Sequence, residues 1–100
     1  MKKLFWTKHS CDKMKFYRLS QSRVQRVINS PARVEFGIVP DTIVMMQVVK
    51  GSRKKSEIWT MVQDEKTCRK VISAWRYPGI TKPGEPLPRE ILREILFTKN

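Results

Sequence analysis

His9 is the only histidine in the chain, and so the only side chain whose unperturbed pKa suits it to exchange protons near neutral pH. Lys13 and Tyr17 follow at intervals of four, which on a helix aligns all three along one face. RNA cleavage without metal needs a base for the 2′-hydroxyl, a cation facing the charge that builds on phosphorus, and an acid for the leaving 5′ oxygen. His9 can be base or acid, Tyr17 an acid or the hydrogen-bond partner of His9, and Lys13 with Arg26 the electrostatic clamp. The structural alternative for His9 is a helix cap or a packed side chain.

A second set of residues suits binding rather than chemistry. Arg23 and Arg26 flank an apolar helical stripe and read as a solvated face or as phosphate contacts. The run GSRKKS places Arg53, Lys54 and Lys55 on a hairpin tip able to reach a groove. Strict alternation along KTCRKVISAWRY puts Arg69 with Val71, Ser73 and Trp75 on one side, and Lys70 and Arg76 with Ile72 and Ala74 on the other. Trp6, Trp59 and Trp75 are expected mainly as core. Trp75 beside Arg76 is the exception, because an indole next to a guanidinium suits stacking on an unpaired base.

Asp12, Asp41, Asp64 and Glu65 are scattered without the spacing of a two-metal nuclease. Cys11 and Cys68 are too few for a thiolate metal site and show no CxxC pair. No metal and no cofactor are expected, and the two cysteines read as reduced, partly buried thiols.

These residues sit on a strongly basic chain of 100 residues, with 21 Lys plus Arg against 9 Asp plus Glu, a formal charge of +12. That exceeds the roughly 2–8 charges that serve solubility in a small domain, so an anionic partner would relieve the self-repulsion. RNA or DNA is the first candidate, an anionic membrane surface the second, and an acidic inhibitor protein a third compatible with the first. The opening MKKLFW lacks the apolar run of a secretory leader, and nothing approaches the roughly 18 apolar residues of a membrane span. The expectation is therefore a cytoplasmic protein with no membrane partner.

One α+β domain over residues 1–100 must position the candidates. Two short helices are expected first, capped by Thr7 or Ser10 and then by Ser20. Met14, Phe16, Tyr17 and Leu19 supply the apolar side of the first helix. Leu19 and Val24 have the spacing of a hydrophobic staple, and Asn29, Ser30 and Pro31 end the second helix. Val34, Phe36 and Ile38 then alternate as a half-buried strand. Thr42 to Val49, Glu57 to Gln63 and Lys66 to Tyr77 continue a three- or four-stranded antiparallel sheet against which the two helices pack. A Pro-rich connection, 78–88, leads to an added helix, 89–97, whose Ile91, Leu92, Ile95 and Leu96 close the sheet's open face or reach a symmetry mate in a homodimer.

The run HSCDKMKFYRLSQSRVQRVINSP resembles an uncharacterised family adjacent to BrnT, within the RelE and ParE superfamily of bacterial toxins, whose members read H-A-x-x-R-M before a V-x-x-V-I helix ending at Pro. His9 and Met14 match, Leu19 and Ser20 match in character, and Val24, Val27, Ile28 and Pro31 fall at the second helix and its stop. Lys13 and Tyr17 stand where the family often has Arg. The resemblance covers about Phe5 to Trp75, leaving the Pro-rich segment and last helix as additions. It implies a toxin-like fold, RNA as target, the ribosome included, ribonuclease activity as in some relatives, and an acidic antitoxin as partner. Two other functions stay open: a nucleic-acid-binding module without catalysis, and a basic protein-interaction domain held by an acidic partner.

Overall fold

The computed structural model describes residues 2–36, 40–51 and 53–96. The element missed by local pattern comes first: Lys3–Trp6 forms a short strand, β1. Thr7 ends it and caps helix α1 (Lys8–Tyr17), its hydroxyl accepting from the Ser10 amide at 3.1 Å. The same hydroxyl lies 3.0 Å from the Val71 carbonyl oxygen, tying the helix start to the sheet. Arg18 closes α1 at φ 56°, a left-handed conformation that costs a non-glycine residue energy. Ser20 caps α2 (Gln21–Asn29) through the Arg23 amide at 3.1 Å. Leu19 and Val24 are both buried in the same cluster, as a staple requires.

Four strands follow: β2 (Arg33–Phe36), β3 (Thr42–Lys50), β4 (Lys55–Asp64) and β5 (Cys68–Tyr77), then helix α3 (Arg89–Leu96). The sheet has five strands in the order β1-β5-β4-β3-β2. It is mixed, not antiparallel, because β1 runs parallel to β5, with Lys3 opposite Cys68 and Trp6 opposite Val71. Parallel neighbours need a long crossover, and α1, α2 and three strands supply it. Gly37 and Ile38 of the expected first strand, and Phe97 of the expected last helix, lie outside the described residues.

Helices flank both faces. One core gathers Met14, Leu19, Val24 and Val27 from α1 and α2 against Met45, Ile58, Val62, Val71 and Ala74. The other gathers Ile91 and Ile95 of α3 against Val44, Met46, Trp59, Met61, Ile72 and Trp75. Of the α3 stripe, Ile91 and Ile95 are therefore covered by its own sheet, whereas Leu96 is 55% exposed. Residues 78–88 contain no helix or strand, as their prolines require.

Local pattern misjudged two apolar groups. Phe16 is 76% exposed. On β2 the more buried positions are Arg33 and Glu35, whereas Val34 and Phe36 face outward. Arg33 donates to Glu35 at 2.8 Å and lies over the Trp59 ring, 5.8 Å from its centroid. Guanidinium–π contact and pairing make the charged side of the strand the inner one.

A bulge decides which cations share a face. Met61 pairs with Ser73 and Val62 with Val71, so Ile72 is an extra residue. Beyond it the alternation is reversed. Val71 and Ala74 both join the core under α1 and α2. Arg76, opposite Ile58 of that core, lies on the same face, whereas Ser73 and Trp75 turn to the α3 side.

At the start of β5, Arg69 forms a two-pronged pair with Asp64, at 2.6 and 3.0 Å. The Arg69 hydrogen bond, with the charges of Arg69 and Lys2, holds the Asp64 carboxyl below its ordinary pKa. A depressed carboxyl stabilises the fold above its unfolded pKa and loses that contribution as pH falls through the folded value. Asp64→Asn should therefore cost up to about 1 kcal/mol at pH 7, the modest worth of a part-exposed pair. The gap from wild type should close below the usual carboxylate range, as read by urea unfolding at several pH values.

Candidate nucleic-acid interface

Helix α2 and the end of β5 bring three arginines, Arg23, Arg26 and Arg76, to one face of the sheet. Arg23 is half-buried beside the sheet and donates to Gln47 Oε1 of β3 at 2.9 Å. Gln47 Nε2 in turn donates to the carbonyls of Arg26 and Ser30, at 3.0 and 2.8 Å. One side chain thus fixes Arg23 and satisfies two carbonyls near the end of α2. Burial, then the positive charges of Arg26 and Arg76, hold the Arg23 guanidinium below its ordinary proton affinity. Gln47 lies opposite Ile58 and Ile58 opposite Arg76, so the strand register sets Arg76 on the face that Gln47 shares with Arg23.

Carboxylates compensate some of the other cations among the described residues. Lys13 pairs with Glu94, Arg33 with Glu35, Arg69 with Asp64 and Lys70 with Glu65. Lys8 pairs with Asp12 and Lys2 more loosely with Asp64. None of the ion pairs among the described residues includes Arg23, Arg26, Arg76, Arg53, Lys54 or Lys55. Like charges held together without counter-charge cost stability unless an anion joins them.

The β3–β4 hairpin extends from this same end of the sheet. Lys50 pairs with Lys55, which is the first residue of β4 rather than part of the loop, and Arg53 and Lys54 are exposed at the tip. A side chain at Gly51 would come within 2.7 Å of the Lys54 carbonyl oxygen, so glycine lets the turn close.

Apart from Arg26, the residues expected to do chemistry fall elsewhere. Lys13 Nζ sits 2.6 Å from the Glu94 carboxylate on α3, and the Tyr17 hydroxyl donates to the same group at 3.3 Å. Burial, with the charge and hydrogen bond of Glu94, raises the Tyr17 pKa and keeps the phenol protonated. His9 Nε2 is buried with no hydrogen-bond partner among the described residues. No hydrogen bond or ion pair of the described residues joins Arg26 to His9, Lys13 or Tyr17. Trp75 is 2% exposed and stacked on Trp59 at 6.2 Å, so it offers no face to a base. Lys70 is held by Glu65 at 2.8 Å, and the Glu65 hydrogen bond and charge raise its pKa.

Gln47 and Glu94 were not legible as partners. Gln47 did carry a signal, as the one amide in the apolar run TIVMMQVVK, since a polar residue on a buried strand needs something to bond. Comparison with protein-family models, characterised proteins and solved structures yields no match to this chain.

Proposed function

We propose that this protein binds RNA without cutting it, through Arg23, Arg26 and Arg76 with the cations of the β3–β4 tip. The observation that carries this reading is the arginine cluster itself: three guanidinium groups from two elements on one face, one fixed by Gln47, and none in an ion pair among the described residues. Guanidinium groups present planar forks that match phosphate oxygens, and Arg23, already held by Gln47, loses little freedom on binding. A toxin-like relationship fits this reading but is not needed for it. Binding is favoured over cleavage because Glu94 occupies Lys13 and Tyr17, while Arg26 belongs to the arginine cluster.

Titrating a labelled mixed-sequence RNA at rising salt tests the proposal. Affinity should fall at least about tenfold between 50 and 200 mM salt, because two or more phosphate contacts release their counterions. In chelator the RNA should stay intact, and His9→Ala should bind as wild type does. A salt-independent isotherm would overturn the binding mode; cleavage that disappears in His9→Ala would restore a ribonuclease.

A further inference from the structure

A cleft of about 690 Å³ lies between β1 and the C-terminal half of α2. Its size suits a small planar ligand. Leu4, Trp6 and Ile28 give it an apolar wall, and all three are only partly buried against the core. Gln25 and Asn29, one turn apart on α2, also line it. Neither side-chain amide has a hydrogen-bond partner among the described residues. Lys2, Lys3 and Arg69 make its rim cationic, with Asp64 beside Arg69 and Lys2 as the counter-charge. Three cations against one carboxylate leave the rim positive.

An indole beside an aliphatic wall, two unengaged amides and a positive rim are the complement of a flat heterocycle with polar edges and an attached phosphate. We infer that this cleft holds one unstacked nucleotide of a single-stranded RNA, the base against Trp6 with its edge on Gln25 and Asn29, and the phosphate on Lys2 and Lys3. A base inside a duplex is stacked on its neighbours and has its pairing edge occupied, so it cannot enter without being flipped out. The cleft therefore selects single strands, while the arginine cluster contacts phosphates of either form. The single-strand preference rests on the RNA-binding reading; the fit of a nucleotide to the cleft does not.

Tryptophan emission reports on the cleft directly, because Trp59 and Trp75 are buried in the opposite core and Trp6 lines the cleft. Three probes separate the claims: a nucleoside monophosphate, a ten-residue single-stranded RNA and an RNA duplex of the same length. The monophosphate and the single strand should quench emission and the duplex should not, although it binds. Trp6→Phe should abolish the quenching. The double variant Gln25→Ala, Asn29→Ala, which alters only exposed amides, should weaken single-strand binding about tenfold and leave duplex binding unchanged. Duplex binding with no quenching by monophosphate or single strand would overturn the nucleotide cleft and leave the arginine reading standing. Quenching by the monophosphate with no binding of either RNA would support the cleft as a nucleotide site and overturn both the arginine reading and the single-strand preference. Equal loss of single-strand and duplex affinity in the amide variant would overturn the selectivity.

Discussion

Replacing Glu57 with Ala should destabilise the domain by about 3–5 kcal/mol, as expected when one partner of a buried charged network is removed. Glu57 has no exposed surface, yet its carboxylate is well supplied with donors. Trp59 Nε1 donates to Oε1 at 3.0 Å, and the Thr81 amide and hydroxyl donate to Oε2 at 2.9 and 2.8 Å. Arg33 reaches the same network through Thr81, whose hydroxyl accepts from Nη1 at 2.8 Å. The carboxylate thus fastens the segment after β5 onto the α3 face of the sheet. Alanine would leave an indole N–H, an amide and a hydroxyl facing a void. In a domain of this size the midpoint should drop by about 15 °C or more. Glu57→Gln keeps the shape but sets its own N–H groups against one of the donors, so about 1–3 kcal/mol is expected. Urea and thermal unfolding followed by near-UV circular dichroism would check both, and a Glu57→Ala protein with wild-type stability would show the network to be idle.

The triple variant Arg23→Ala, Arg26→Ala, Arg76→Ala should lose about 10²- to 10³-fold in RNA affinity at low salt, with the salt slope flattened by roughly 2–3 units. Each guanidinium removed is one phosphate contact fewer, and the loss should be shared by RNAs of different sequence because phosphate contacts carry no base information. The fold should survive, since none of the three pairs with a carboxylate among the described residues and removing them relieves repulsion around Arg23. Gln47→Ala provides a second handle. It leaves every charge in place but frees Arg23 and removes the partner of the Arg26 and Ser30 carbonyls, so RNA affinity should fall by less than in the triple variant. A triple variant that binds as tightly as wild type would move the interface elsewhere on the surface.

Much of the framework follows from local sequence alone, because caps, staples and periodicity act over a few residues. Thr7 and Ser20 cap the helices, Leu19 meets Val24, and Thr42 to Lys50 forms a strand. The basic tip lies between two strands of a hairpin. Isolated cation positions and the surplus charge were equally legible.

Long-range pairing decided the rest. β1 is four residues, one basic, one aliphatic and two aromatic, and only the partner β5 makes it a strand. Alternation assigned Arg69 and Arg76 to opposite faces, but the extra residue Ile72 places both on the α2 side, a bulge that local pattern does not announce. Trp75 looked available for stacking until α3 covered its face. Lys13, Lys70 and Arg23 are chemically similar in the sequence, yet Glu94 neutralises the first, Glu65 the second, and only Gln47 meets the third. Which cations stay without a counter-charge depends on residues far away in the chain, and that is set by the packing of helices and strands, not by composition.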